Sequence, residues 1–267
     1  MGLRVGVVDR LWRYPVKSMV GEALAEVEVS ENGLAGDRTY AVLDVRTGRV
    51  VSAKNPKRWP GLFHLRASYV TPPTTGDPLP AVRITFPDGD EVESGDSQAD
   101  ARLSKFLGAD VRLVTSTLER AAVEEYTPPI LDRDEAFGEF RIARGPFHDS
   151  KPIHVVTTAT LARLNELYPD GRFDPRRFRP NILLETGGLP GFVEQSWIGR
   201  TLRIGSTRIP LTGPCARCVM TTLPQEDLPE DLGILETVVA HSDGDVGVKG
   251  GVAQGGVLVL GAPAYLE

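Results

Sequence analysis

The stretch from Trp197 to Cys218, WIGRTLRIGSTRIPLTGPCARC, predicts a β-hairpin that leads into the only two cysteines of the chain. The residues 22–30, EALAEVEVS, alternate apolar and polar side chains, which is the period of a half-buried strand. Further strands are predicted at 39–45, 47–53, 81–86, 90–94, 110–116, 152–158, 179–185 and 255–267. The sequence therefore predicts a mainly β fold of the α+β class, with few and short helices.

Two short helices and one long connection complete the prediction. The first helix is capped by Ser97 and stopped by Gly108, and the second covers 158–168 with a threonine cap. Residues 118–150 show no clear period and are predicted to be a long irregular connection. The chain is thus expected to contain two barrel-like or sandwich units.

Composition limits the classes of function. The chain has 267 residues, a net charge of -6 and 41% hydrophobic residues, as in a soluble globular protein with a sizeable core. It has no run of lysine and arginine, so nucleic acid is not an expected partner. We see no signal-peptide pattern, and no stretch approaches 18 apolar residues. These features, with only two cysteines, predict a cytoplasmic protein without a membrane partner.

The pair Cys215 and Cys218 allows four interpretations. Structural zinc needs four ligands, and the four histidines are not paired at ligand spacing. A thioredoxin-type site needs a helix after the pair, whereas VMTT (219–222) is predicted to be extended. Two inert buried cysteines are the third interpretation. A metal thiolate is the fourth, because the charge of Arg217 is expected to favour a thiolate at Cys218. The spacing alone does not name the metal.

A second signal is a set of cationic and hydroxyl residues in short motifs framed by glycine or proline. The motifs are YPVKSMVG (14–21), GLAGDR (33–38), FHDSKP (147–152) and RRFRPN (176–181). Each of these side chains alone is more often a solvated surface group. Together they predict one anion pocket, since phosphates are held by arginine forks, lysine charges and hydroxyls.

These motifs, followed by GPCARCVMTT (213–222) and GGVLVLGAPAYL (255–266), resemble in content and order those of MOSC-domain proteins. The chain is similar to the type with an N-terminal MOSC β-barrel domain, which includes the mitochondrial amidoxime-reducing component and its bacterial relatives. The resemblance covers nearly the whole chain. It implies an N-terminal MOSC β-barrel-like domain at 1–117 and a C-terminal MOSC β-barrel domain at 118–267.

The resemblance also implies a molybdenum cofactor, Mo-molybdopterin, and a role for each motif residue. Cys218 is implied to be the molybdenum ligand and the catalytic residue, with Arg217 beside the cofactor. The other implied cofactor-binding residues are Lys17, Ser18, Arg38, Asp149, Ser150, Lys151, Arg179 and Asn181. Cys215 is expected to be a small buried neighbour that shapes the loop.

The implied activity is that of a molybdenum-dependent oxidoreductase that reduces small N-hydroxylated compounds. The chain has no further cysteines for an iron–sulfur cluster, so we expect a separate electron-donor protein, such as a ferredoxin or a flavin reductase. The sequence departs from the family at 244–254, GDVGVKGGVAQ. There Val246, Gly247 and Lys249 stand where the amidoxime-reducing relatives have an aromatic–glycine pair followed by an aromatic.

Two other functions stay open. One is a module that only holds the molybdenum cofactor, or that carries sulfur as a persulfide on Cys218, without substrate turnover. The sulfur-donating partner in that family uses pyridoxal phosphate, a remote association for which this sequence has no motif. The other is an inactive member that keeps the fold but does not bind the cofactor.

Overall fold

The computed structural model describes residues 2–118 and 121–267. Within these ranges the α-helices are α1 (Ala99–Leu107), α2 (Thr158–Leu167), α3 (Pro175–Phe178) and α4 (Gly233–Ser242). The strands before residue 118 are β1 (Leu3–Arg13), β2 (Glu22–Leu24), β3 (Glu26–Ser30), β4 (Gly33–Leu34), β5 (Tyr40–Asp44), β6 (Arg66–Tyr69), β7 (Val82–Thr85), β8 (Glu91–Glu93) and β9 (Val111–Thr115). The later strands are β10 (Ala121–Thr127), β11 (Ala136–Ile142), β12 (Ile153–Thr157), β13 (Ile182–Glu185), β14 (Thr201–Ile204), β15 (Thr207–Ala216), β16 (Asp245–Gly250), β17 (Gly256–Val259) and β18 (Pro263–Leu266). The predicted mainly β fold with short helices is confirmed.

Seven strands form a closed barrel. Their order is β1-β13-β12-β16-β15-β14-β18, and β18 pairs with β1 to close the sheet. Strands β12 and β13 are parallel, and helix α2 lies in the crossover that a parallel pair requires. Buried aliphatic side chains fill the barrel, among them Val155, Ile182, Leu202 and Ile204. Closure leaves the barrel strands without free edges.

The first strand crosses the predicted domain boundary. Strand β1 pairs with β13 and β18, so the N-terminal residues complete the barrel formed by strands that follow residue 152. The remaining N-terminal elements surround a second core, which includes Trp59, Phe63, Leu65 and Leu103. The division of the chain at 117 and 118 stays a prediction.

The segment predicted to be an irregular connection contains a regular β-hairpin. Strands β10 and β11 pair in register from Ala121 with Ile142 to Thr127 with Ala136, so the prediction for 118–150 was wrong. The hairpin packs on the N-terminal unit, where Val123 and Ile142 contact a small buried cluster. Residues 119–120 lie outside the described residues.

Two local predictions differ from the structure, and two others are confirmed. Gln98, and not Ser97, is the N-cap of α1, without a side-chain hydrogen bond, whereas Gly108 ends the helix in the left-handed conformation as predicted. The residues 219–222, predicted to be extended, form a 3₁₀-helix that begins directly after Cys218. The threonine cap of α2 is confirmed, since Thr157 accepts a hydrogen bond from the Thr160 backbone.

No helix in the described ranges is long and apolar enough to cross a membrane.

Candidate functional site

A cavity of about 570 Å³ is lined by the barrel, the N-terminal unit and the β10–β11 hairpin together. Both cysteines lie in its wall, at the end of β15 and just beyond it. Eight lysine and arginine residues line the cavity, against three aspartate and glutamate residues. The chain carries a net charge of -6, so this local excess of positive charge indicates a site for an anionic ligand.

The residues singled out in the sequence come together in this cavity. Those that line it are Lys17, Ser18, Arg38, Asp149, Ser150, Lys151, Arg179, Asn181, Arg217 and Cys218. They come from segments far apart in the chain, which the closure of the barrel by β1 brings to one place. Their predicted roles toward a cofactor stay predictions.

A network of charges around Asp149, whose two lysine partners are largely buried, forms one side of the cavity. The Nζ atom of Lys17 lies 2.5 Å from Oδ1 of Asp149 and donates to the backbone oxygen of Phe147 at 3.0 Å. The second carboxylate oxygen of Asp149 lies 3.4 Å from Nζ of Lys54. Lys54 also donates to Glu125 of the hairpin at 2.8 Å. Asp149 thus holds two lysines, and Lys54 links the hairpin to the cavity wall.

The pKa values in this network follow from burial opposed by charge. Burial alone would raise the pKa of Asp149, but Lys17 and Lys54 hold it well below its usual range. For Lys54, burial would lower the pKa, yet its electrostatic interactions with Cys218, Asp149 and Glu125 raise it. Burial lowers the pKa of Lys17, although Asp149 opposes that effect. The carboxylate of Asp149 is therefore ionised at neutral pH.

Three residues of the cavity wall have left-handed backbone conformations, which residues other than glycine rarely adopt. The φ angles are 65° at Ser18, 53° at Arg38 and 52° at Arg179. For residues other than glycine, this region costs about 1–2 kcal/mol each. Such strain persists only where the surrounding structure fixes it, and it concentrates at functional sites.

Arg38 is held by a buried aspartate. Its guanidinium forms an ion pair with Asp37, whose carboxylate also accepts a hydrogen bond from Asn181 at 3.1 Å. Burial would lower the pKa of Arg38, but Asp37 more than reverses this and raises it. The amide oxygen of Asn181 accepts the backbone N–H of His154 at 3.1 Å. Asn181 thus connects the arginine pair to strand β12.

Arg179 lies among aromatic rings and has no carboxylate partner within the described ranges. It donates to the backbone oxygen of Met19 at 2.7 Å, and its guanidinium lies 4.2 Å from the ring centroid of Tyr14. Burial lowers the pKa of Arg179 to about 10. Its guanidinium is therefore still charged at neutral pH, in a place where that charge is costly.

Arg217 contacts Cys215, the first cysteine of the pair. The sequence-based expectation that the charge of Arg217 favours a thiolate at Cys218 is therefore corrected. The Nη1 atom of Arg217 lies 3.0 Å from Sγ of Cys215, and Nη2 donates to the backbone oxygen of Phe178 at 2.9 Å. Burial would raise the pKa of Cys215, but His154 and Arg217 lower it to about 6. Both cysteines are free thiols. Cys218 instead interacts electrostatically with Lys54, whose pKa it helps to raise.

Two arginines of the RRFRPN motif lie outside this cavity. Arg176 pairs with Asp174, Glu226 and Asp227. Arg177 is fully buried and donates to the backbone oxygens of three residues, Arg172, Thr221 and Pro229. Arg177 is thus a structural residue that ties α3 to the loop after Cys218.

Sequence reasoning missed Lys54 and the hairpin residues of the cavity. Lys54 follows a predicted strand without a motif of its own, so only the tertiary fold shows that it contacts Asp149. Ile130, Arg133 and Phe140 line the cavity from the hairpin. Lys249 also lines it, from the stretch where the sequence departs from the family.

Three buried nitrogen atoms in residues of this wall have no hydrogen-bond partner in the part of the chain that the structure describes. They are Nη2 of Arg179, Nε of Arg217 and Nε2 of His148. Burial also lowers the pKa of His148 to about 4, so its ring is neutral at pH 7. Arginine N–H groups are donors only, and a buried donor without an acceptor is costly. The donor set therefore fits an anionic group rich in acceptors.

Comparison with known families gives the decisive match. The model of the MOSC N-terminal beta barrel domain matches residues 5–122, and the model of the MOSC domain matches residues 143–265. The chain is a MOSC-domain protein. The two matches together cover most of the chain, and the cavity of this MOSC-domain protein draws residues from both.

Named relatives agree with this assignment. The chain is 27% identical to mitochondrial amidoxime-reducing component 1 of Mus musculus, over 89% of this chain and 72% of the relative. It is 28% identical to component 1 of Homo sapiens, over 91% of this chain and 74% of the relative. The solved structure of the YUAD protein from Bacillus subtilis aligns over 100% of this chain and 98% of that chain, with a TM-score of 0.50 and 12% identity. That last likeness shows the fold alone.

Proposed function

We propose that this MOSC-domain protein binds the molybdenum cofactor in the cavity, with Cys218 as the metal ligand, and reduces N-hydroxylated compounds. The observation that carries the proposal is a cysteine in a wall with eight cationic residues and three unpartnered N–H donors or ring nitrogens. The relatives named for amidoxime reduction support the reaction class. When bound, a thiolate-ligated molybdenum centre supplies the two-electron chemistry that removes the hydroxyl oxygen.

The residues around Cys218 divide into two groups in this proposal. Lys17, Ser18, Arg38 and Arg179 bind the phosphate and pterin of the cofactor, since their left-handed or buried conformations fix the donors before binding. The other members, which hold and shape the pocket, are Asp149, Ser150, Lys151, Asn181 and Arg217. Asp149 acts through the two lysines that it orients.

The hairpin supplies the remaining wall. Ile130 and Phe140 are apolar and line the cavity, so they exclude water from this part of its wall. Lys54 lies 4.8 Å from the ring centroid of Phe140 and fixes that ring through a cation–π contact. The substrate enters a cavity whose wall is largely cationic and partly apolar.

Electrons reach this site from a separate donor protein in our proposal. The relatives are named as mitochondrial proteins. A cytoplasmic location for this chain stays a prediction, which fractionation of the native cells would test.

The test of the function uses one variant and its matched control. Cofactor-loaded protein is assayed for reduction of benzamidoxime with reduced methyl viologen as the donor. Cys218→Ala should lose the activity, whereas Cys215→Ala should retain a substantial part of it, because only Cys218 is the ligand in this account. Full activity in Cys218→Ala would reject the proposal.

A sulfur carrier is the competing function. The cavity of about 570 Å³ is far larger than a single persulfide sulfur needs, and so many cations serve no purpose for one atom. We therefore place cofactor binding first. Mass spectrometry after incubation with a sulfur donor would support the carrier instead if Cys218 gained about 32 Da, the mass of one sulfur atom.

A further inference from the structure

A second, smaller cavity of about 200 Å³ has no role in the proposed function. Of the described residues that line it, only Arg179 also lines the first cavity. Its other walls come from β1, β2, the start of β6, α3 and the loop between Cys218 and α4. A dry cavity of about 150 Å³ in a protein interior is large enough to bind benzene. The second cavity therefore has room for a single six-membered ring with one small substituent.

Much of the wall of the second cavity is apolar. Trp12 and Tyr14 line it and are both buried, and Val20 and Ala23 add aliphatic surface. Ala23 is exposed, so this residue lies at the opening of the cavity. A concave wall of this kind stabilises an apolar ligand, because the surface of the ligand is removed from water.

The amide of Gln225 is a buried polar group in this wall. Only 3% of Gln225 is exposed, and its Nε2 atom has no hydrogen-bond partner in the part of the chain that the structure describes. A tight turn fixes its position, since the backbones of Gln225 and Leu228 exchange hydrogen bonds of 3.1 and 2.8 Å. Within this turn Glu226 has a left-handed φ of 50°. A buried donor without an acceptor is costly, so a ligand that brings an acceptor is stabilised here.

The charges around the second cavity favour an anionic acceptor. Three arginines line it, Arg66, Arg176 and Arg179, against one carboxylate, that of Glu226. Arg66 and Arg176 both pair with Glu226, and Arg176 is also held by two aspartates outside the wall. Arg179 is buried, and its Nη2 atom has no partner among the described residues. Its charge acts on both cavities, because electrostatic attraction in a buried environment extends beyond a single hydrogen bond.

We infer that the second cavity is a binding site for a small aromatic carboxylate. The ring of this ligand packs in the part of the cavity lined by Trp12 and Tyr14, and its carboxylate accepts a hydrogen bond from the amide of Gln225. Such a bond to an ionised acceptor is charge-assisted, and its loss weakens binding by about tenfold. The site involves neither Cys218 nor turnover, so it goes beyond the proposed function.

The experiment measures by calorimetric titration how the full chain binds benzoate, benzamide and acetate. These three probes separate the contribution of the carboxylate from that of the ring. Wild type is compared with Gln225→Leu, which removes the amide, and with Ala23→Phe, which narrows the opening. Gln98→Leu and Ala25→Phe are the matched controls, because Gln98 and Ala25 are exposed and line neither cavity.

We expect wild type to bind benzoate with a Kd on the order of 1 mM or below, and benzamide and acetate about tenfold more weakly. Gln225→Leu and Ala23→Phe should each weaken the binding of benzoate by about tenfold, whereas both controls should bind it as wild type does. Because Ala23 is exposed, Ala23→Phe gives the answer if Gln225→Leu does not fold.

The variants also decide which cavity holds benzoate, since the first cavity is cationic too. A Kd within about twofold of wild type in Gln225→Leu, or in Ala23→Phe where Gln225→Leu does not fold, overturns the inference. No binding of benzoate by wild type at about 10 mM overturns it as well, and so does equal affinity for benzamide. None of these measurements needs the molybdenum cofactor, so the site stands or fails independently of the proposed function.

Discussion

Arg179 provides the sharpest test of whether the cavity is built for a ligand at the expense of stability. Burial lowers the pKa of Arg179 well below its usual range, to about 10, so its charge destabilises the fold by about 3 kcal/mol at neutral pH. The sign follows from the direction of the shift: the penalty is present while the folded and unfolded states are both protonated, and it disappears as pH rises above about 10. Methionine at this position removes the charge and keeps most of the apolar stem.

The interactions lost in Arg179→Met are of similar size. One hydrogen bond to the backbone oxygen of Met19 contributes about 1.5 kcal/mol, and the cation–π contact with Tyr14 contributes about 1–2 kcal/mol. Gain and loss therefore offset each other, and we expect the unfolding free energy of cofactor-free protein to change by less than about 1 kcal/mol. Molybdenum content of the loaded protein should nevertheless fall strongly.

Arg177 is the matched control for this prediction. It lies two residues away, is also buried, and donates to three backbone oxygens that Arg177→Met would leave without this donor. We expect the free energy of unfolding of Arg177→Met to fall by at least about 3 kcal/mol. Urea unfolding followed by tryptophan fluorescence measures both variants. Equal losses in the two variants would show that Arg179 is a structural residue and would refute the reasoning.

Three further predictions concern single groups. Burial raises the pKa of Glu194 despite hydroxyl donors at 2.6 and 2.7 Å, so Glu194→Gln should stabilise the protein increasingly as pH rises through and above the usual range of a glutamate pKa, as measured by urea unfolding. No pH dependence of the difference in unfolding free energy would contradict this. Gly247→Ala should lower the free energy of unfolding by about 3 kcal/mol, because φ is +77° and the new Cβ would lie 2.4 Å from the backbone oxygen of Val155. The control Gly48→Ala, at φ +67° in open space, should lower it by only about 1 kcal/mol. Similar losses in the two variants would argue against close packing at Gly247. In Cys218→Ala protein, the rate at which iodoacetamide alkylates Cys215 should rise with pH around a midpoint near 6, since the thiolate of Cys215 forms above that pKa. A midpoint near 9 would show that His154 and Arg217 do not lower the pKa of Cys215.

Much of the fold follows from local pattern, and the exceptions have physical causes. Strands such as β5 and β12 are short runs of apolar residues and were predicted from the sequence within about two residues. The hairpin of β10 and β11 was not, because its sequence is charged and its stability comes from distant partners. Lys57 stacks on Tyr126 and Phe137 of that hairpin, and such contacts leave no local period.

The site shows the same division. The residues predicted to bind the cofactor all line one cavity, since glycine and proline frame segments that must adopt fixed backbone conformations. The partner of Arg217 was predicted incorrectly, because adjacency in sequence places it beside Cys218 whereas the end of β15 turns its guanidinium toward Cys215. Lys54 could not be found, because a lone lysine carries no signal until the fold brings Asp149 to it.

The most direct test of the central claim is the molybdenum content per chain. Wild type, Cys218→Ala and Cys215→Ala are purified from a host rich in the cofactor and analysed by inductively coupled plasma mass spectrometry. The account predicts near-stoichiometric molybdenum in the wild type, substantial molybdenum in Cys215→Ala and little in Cys218→Ala. Equal molybdenum in all three proteins would contradict Cys218 as the ligand, and none in the wild type, where a control molybdoenzyme loads fully, would contradict cofactor binding itself.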